Sequence, residues 1–217
     1  DVTMEDLHDM PQQLYEGKIS KLREKTQGQL VIKEYPTASA HSGHFKSLMN
    51  ELALKKSFRP DVIFIDYLNI CASSRFKGGN ISSYFYVKAI AEELRGLAVE
   101  FNVPIFSATQ TTRTGYVSTD IGLEDTSESF GLPATADFMF ALISNEELEA
   151  LGQMKVKQLK NRYNDPSINR AFIVGVDRSK MRLYDVQQKA QEIVDANAVD
   201  EKEDAYNKFS DFKLWKT

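Results

Sequence analysis

DVIFIDYLNI (61–70) is the stretch on which the reading of the fold turns. Val62 to Ile65 form a short apolar run of strand length and strand composition, and Asp66 ends it with a carboxylate. In an open parallel sheet, ligands bind outside the carboxyl ends of the strands. Asp66 therefore stands where a carboxylate orients a magnesium ion and its waters beside a nucleotide phosphate, as in a Walker B motif. A strand capped by a loop-facing aspartate is the alternative, and the string alone leaves both open.

Working outward, VPIFSATQ (103–110) repeats the arrangement with a neutral polar end, so Thr109 and Gln110 emerge at the same sheet edge as Asp66. An amide there is placed to sense a phosphate. Between the two runs, Tyr84, Val87, Ala91, Leu94, Ala98 and Phe101 recur at three- and four-residue steps. Lys88, Glu92, Glu93 and Arg95 take the other face, which predicts a helix over 83–101 ended by Asn102 and Pro104. QLVIKEY (29–35), DFMFALI (137–143), KVKQLKN (155–161) and AFIVGVD (171–177) read as further strands, and the segments between the earlier strands as helices. Two strand–helix–strand units in succession predict an α/β fold with a mainly parallel sheet and helices on both faces. The strands from Lys155 onward leave no room for helices and predict antiparallel additions at the edge.

At 217 residues, 42% hydrophobic and 27% charged, the chain has the composition of a globular protein with a real core, not of a disordered or fibrous one. Its net charge of −4 excludes a general basic coat for nucleic acid, while leaving room for a local basic site. Cys71 is the only cysteine, which excludes an intrachain disulfide framework and multi-cysteine metal sites and suits a reducing cytosol. No apolar run approaches the roughly 18 to 20 residues of a membrane span, and DVTMEDLHDM has neither part of a secretory signal. Charge is segregated. Between Arg113 and Lys155 lie eight acidic residues and no Lys or Arg, whereas Lys155 to Arg182 carries eight basic residues against Asp165 and Asp177. Such blocks suit a head-to-tail interface, or else two solvated faces of one molecule.

TTRTGYVSTDIGLEDTSESFGL (111–132) is a long polar loop that either presents backbone amides and Arg113 to a nucleic-acid backbone or is simply mobile. Lys160 and Arg162, two apart at a strand end, project to one side. They either clamp a phosphate, the arginine acting in a neighbour's site, or form a solvated basic edge. His41 and His44 have helix-compatible metal spacing but no further ligand nearby, and read as surface or capping histidines. The only Gly-Lys pair, Gly17-Lys18, is followed by Ile19 and lacks the upstream glycine of GxxxxGK[ST], so no phosphate loop is present within these residues. Residues 187–217 are polar and predict a tail or docking helix after a first domain over 1–186; their acids outnumber their bases, which disfavours DNA as their partner.

With Asp66, Gln110 and Lys160-Asn161-Arg162 in this order, the chain resembles the RecA-like motor domain of DnaB-type replicative DNA helicases, most of all their T-even-like phage branch. The resemblance is carried by DVIFIDYLNICASSR (61–75), VKAIAEELRGLAVEFNVPIFSATQ (87–110), ESFGLPATADFMFALI (128–143) and QLKNRY (158–163), and spans about residues 1 to 185. It implies that Asp66 is the Walker B aspartate holding Mg²⁺ and ATP or another NTP. Gln110 would couple the γ-phosphate to the DNA loops, and Arg162 with its companion Lys160 would reach the adjacent subunit's nucleotide. The loop carrying Ser127, Glu128, Ser129 and Phe130 would grip single-stranded DNA through its backbone, although Ser127 stands where many bacterial relatives have an arginine. Implied partners are single-stranded DNA, a homo-hexameric ring, a primase and a helicase loader, in the cytoplasm of a host if phage-encoded. The family's phosphate loop, catalytic glutamate and amino-terminal collar precede the point where this chain starts. The expectation is thus a partial motor domain, inactive alone, within a protein that unwinds DNA. A noncatalytic RecA-like scaffold or recombination mediator, or a RecA-type recombinase, is the alternative.

Overall fold

The computed structural model describes residues 2–76, 81–111, 122–123, 131–165 and 168–186. In chain order the elements are α1 (Met4–His8), α2 (Gln12–Lys25), α3 (Ser42–Lys56), β1 (Ile63–Ile65), a 3-10 turn (Leu68–Ile70), α4 (Ser83–Phe101) and β2 (Ile105–Ser107). They continue with α5 (Gly131–Thr135), β3 (Phe138–Ile143), α6 (Glu146–Ala150), β4 (Gln153–Asn161), β5 (Ala171–Asp177), a second 3-10 turn (Arg178–Lys180) and β6 (Arg182–Asp185). The described residues fall into two compact units, one drawn from Ile32–Met139 and Leu159–Asp165, the other from Asp1–Val31, Phe140–Gln158 and Pro166–Thr217.

The first unit is built on α4. Its bounds are those predicted from the sequence, and Asn102 closes it in the left-handed conformation (φ 53°, ψ 48°), its N–H returning to the carbonyls of Ala98 and Val99. Val87, Ala91 and Leu94 are buried as the spacing predicts, and so are Ala89, Ile90 and Leu97. Ile90 is the most enclosed side chain, at 1% exposure. The buried arc is wider than a single stripe because α3, the first 3-10 turn, β2 and α5 all contact α4. Leu68, Cys71 and Leu132 complete this core, with Phe45, Ile65 and Tyr86 packed against it. Burial also pushes the Cys71 thiol's pKa up, which keeps it protonated.

β1 and β2 pair in parallel, Ile63 opposite Ile105, Phe64 opposite Phe106 and Ile65 opposite Ser107. With α4 between them in the chain they form one crossover unit, the strand–helix–strand building block of parallel sheets. The pleat alternates: Ile63 and Ile65 are half-buried, whereas Phe64 is exposed and stacks on Phe106 at 5.3 Å.

One expected strand is corrected. Residues 29–35 form no strand, and Leu30 and Ile32 stand 84% and 83% exposed. A strand is a property of a hydrogen-bonded ladder, and an apolar string without an adjacent edge does not make one. Consequently only one strand–helix–strand unit forms among the described residues, and its parallel sheet has two strands.

The second unit contains most of a four-stranded sheet in the order β3-β4-β5-β6. β4 and β5 are antiparallel, Gln153 opposite Gly175 and Lys157 opposite Ala171, and β5 and β6 are antiparallel, Gly175 opposite Tyr184. The antiparallel additions expected after Lys155 are thus present, with β6 as a further strand that the sequence reading does not name. Ala141, Ile143 and Ile173 are buried, and Leu142 between the first two faces outward, as period-two alternation requires. The Tyr184 ring lies directly over Gly175, in the space a β-carbon there would occupy. Gly175→Ala is therefore expected to destabilise the protein by about 1 to 3 kcal/mol through overpacking, read as a lower denaturation midpoint at unchanged slope. A neutral substitution would mean the ring moves aside freely.

Candidate functional site

The parallel register sets the carboxyl ends of β1 and β2 side by side, so Asp66 and the Ala108–Thr109–Gln110 segment leave the sheet together. Four hydrogen bonds tie the two segments. Ser107 Oγ donates to the Ile65 carbonyl at 2.8 Å, the Leu68 N–H to the Ala108 carbonyl at 3.2 Å, Thr109 Oγ1 to Asn69 Oδ1 at 2.8 Å, and Gln110 Nε2 to the Tyr67 hydroxyl at 3.3 Å. Asp66 itself is exposed, and its carboxylate has no hydrogen-bond or ion-pair partner among the described residues. A single accessible carboxylate flanked by neutral oxygens suits a hard cation such as Mg²⁺, which keeps several waters and takes one or two carboxylates plus phosphate oxygens. No three His, Cys, Asp or Glu side chains converge among the described residues. The donor set therefore fits a cation shared with a phosphate ligand rather than a dedicated protein cage.

The segment after Asp66 is anchored by a residue that sequence reasoning places on a solvated face. The Glu93 carboxylate on α4 accepts from Ser42 Oγ (2.8 Å), Ser73 Oγ (2.6 Å), Ser74 Oγ (2.7 Å), the Ser74 N–H (2.9 Å) and the Arg75 N–H (3.3 Å). Burial pushes this carboxyl up, but the hydrogen bonds from Ser73, Ser74 and Ser42 outweigh it and hold the pKa down at about 2. Ser73 is itself buried, its N–H donating to the Tyr86 hydroxyl at 3.1 Å. The serine pair in CASSR is the available signal, since adjacent hydroxyls need acceptors. Nothing in a one-dimensional pattern points them at α4.

Lys160 and Arg162 both reach the short stretch that follows α5. Lys160 Nζ donates to the Pro133 carbonyl. Arg162 makes two bonds to one residue, its N–H to the Asp137 carbonyl and its Nη1 to Asp137 Oδ1, each at 2.9 Å. The same Oδ1 accepts from Arg95 Nη1 at 2.9 Å, and Arg95 also donates to the Thr135 carbonyl. Hydrogen bonding from Arg162, reinforced by Arg95, lowers the Asp137 pKa from its ordinary value against the opposing effect of partial burial. Among the described residues neither Lys160 nor Arg162 bonds to Asp66 or Gln110, so these are two groups and not one.

Two of the charge-block residues also pair within the chain, Asp137 with Arg162 and Glu149 with Arg178 at 2.9 Å. His41 and His44 act as caps of α3: His41 Nδ1 accepts from the Gly43 N–H at 3.0 Å and His44 Nδ1 from the His41 N–H at 3.2 Å. Arg113, Ser127, Glu128, Ser129, Phe130 and the segment 187–217 lie outside the described residues. No described helix is long and apolar enough to cross a membrane.

A parallel strand pair whose carboxyl ends carry Asp66 and Gln110, followed by antiparallel strands, defines a RecA-like α/β domain. Solved structures agree: an isolated ATPase domain superposes with a TM-score of 0.65 at 18% identity, over 79% of this chain and 60% of that one. A DnaB-like replicative helicase, solved with attention to its interactions with primase, gives the same TM-score and identity over 79% of this chain and 42% of that one. In sequence the chain is similar to the DnaB-like replicative helicase of Enterobacteria phage T4, 45% identical over 191 residues, which cover 87% of this chain and 40% of that relative. The resemblance to DnaB-type replicative helicases is thus borne out, for a chain that spans about 40% of the relative's length. No family model matches.

Proposed function

We propose that residues 1–186 are part of the motor domain of a replicative ring DNA helicase, which couples NTP hydrolysis to translocation along single-stranded DNA and duplex unwinding. The observation that carries this reading is the pairing of Asp66 and Gln110 at adjacent strand ends, in a chain 45% identical to a DnaB-like replicative helicase. Asp66 would hold Mg²⁺ through a water, and the ion would supply charge neutralisation at the β- and γ-phosphates of the nucleotide. Gln110 senses the γ-phosphate through its amide, and its bond to Tyr67 passes that state to the segment anchored beneath it. Lys160 and Arg162 act on the neighbouring subunit's nucleotide, donating to the γ-phosphate oxygens as negative charge develops. Their separation from Asp66 and Gln110 within one chain supports a site completed in trans by a homo-hexamer. Arg113 and the loop of Ser127, Glu128, Ser129 and Phe130 contact single-stranded DNA. A primase and a helicase loader are the partners, and the setting is the cytoplasm of a host cell.

The reading is tested on the full-length protein with a forked duplex. Single-stranded DNA should stimulate NTP turnover, and strand displacement should require it. DNA binding without turnover or displacement would favour a noncatalytic scaffold instead. A polypeptide of these 217 residues, which hold no GxxxxGK[ST], is expected to hydrolyse no ATP by itself.

A further inference from the structure

We infer that Asp137 is a positioning residue for Arg162, fixing the guanidinium in the geometry from which it meets an anionic ligand. The inference rests on the finger reading of Arg162 given above and adds the group that aims it. An arginine side chain is long, and holding it in one geometry costs rotamer entropy unless something fixes it beforehand. Arg162 is attached at two points to the same residue, backbone N–H to backbone carbonyl and Nη1 to Oδ1, so the strand end and the side chain share one reference. Asp137 is held in turn. Arg95, from the middle of α4, donates to the same Oδ1 and to the Thr135 carbonyl, which pins the carboxylate to the best-packed helix of its unit.

The charge count gives the arrangement its second property. Two guanidinium groups face one carboxylate, so Arg95 offsets the negative charge of Asp137 and the trio keeps a net charge of +1. A simple one-to-one pair would orient Arg162 while cancelling its attraction for a phosphate. Here it is oriented and still cationic, with its side chain 56% exposed. Only one of its five N–H donors is used by the Asp137 carboxylate, which leaves the planar fork able to take two phosphate oxygens.

The test uses the full-length protein with Asp137→Asn, Arg162→Ala and the double variant. Asp137→Asn should lower the DNA-stimulated kcat about tenfold, the scale of a lost positioning contact, with KM for the nucleotide nearly unchanged. Added to Arg162→Ala, it should lower kcat no further, because it acts through the guanidinium already removed. Asp137→Glu, which keeps the charge but displaces it by one methylene, should fall between wild type and Asp137→Asn. Independent, multiplying losses in the double variant would overturn the inference, as would an Asp137→Asn enzyme with full kcat or failure of both single Asp137 variants to fold. Full turnover by Arg162→Ala alone would sink the finger reading itself, a result distinguishable from the others.

Discussion

Rings of the full-length protein that mix wild-type subunits with Arg162→Ala subunits are expected to lose NTP turnover faster than the fraction of variant subunits rises. Each variant subunit silences its neighbour's site while binding nucleotide normally in its own. Where an arginine acts in trans on a transferring phosphoryl group, its removal costs about 10³ to 10⁵ in rate, or about 4 to 7 kcal/mol of barrier. That magnitude decides whether the observed contact with Asp137 is an obstacle. With the guanidinium side chain 56% exposed and the carboxylate side chain 32% exposed, the pair is worth at most about 1 kcal/mol. Arg162 can therefore leave Asp137 for a phosphate with most of its gain intact, and Arg95 remains to neutralise the carboxylate. Turnover measured against mixing ratio checks this. A mixed ring that keeps full activity would show that Arg162 is not the finger.

Glu93→Ala is expected to have the largest effect on stability. The carboxylate gathers donors from the start of α3 and from the segment 73–75 onto α4, and its removal leaves the buried Ser73 hydroxyl short of an acceptor. Because its pKa is about 2 in the fold against 4.5 ordinarily, the depressed value adds stability that is fully present above about pH 4.5. That contribution is lost as pH falls from 4.5 through about 2, where the folded carboxyl takes up its proton. Discounted for partial exposure, the electrostatic part is about 2 kcal/mol at pH 7. Denaturant unfolding of wild type and Glu93→Ala at pH 7 and at pH 3 gives the comparison, and the gap between the two proteins should narrow at the lower pH. A gap that stays constant would assign the effect to packing alone.

Features set by periodicity and by local chemistry are legible from the chain. The helix over 83–101 appears with its predicted ends because apolar spacing and an Asn-x-Pro stop both act locally. Asp66 and Gln110 stand at neighbouring strand ends, as expected, because a short apolar run and its polar terminus define a strand and its edge. What depends on partners is not legible. Residues 29–35 have strand composition but no adjoining edge, β6 is too polar to announce itself, and Glu93 matters through serines 20 and 51 positions away. In the sequence Asp137 is one member of an acidic block. Its meaning comes from Arg95 and Arg162, 42 and 25 positions distant, and the contrast of charge blocks is partly a record of pairs made within the chain.

The four rungs between 65–69 and 107–110 have a mechanical consequence. Two ribbons joined only by a pair of short strands would flex against each other, but cross-braces placed on successive residues turn the pair into one stiff girder. A fraction of an ångström of travel at Asp66 therefore arrives at Gln110 without slack. Whatever stroke the molecule delivers is generated outside that girder and not by bending within it.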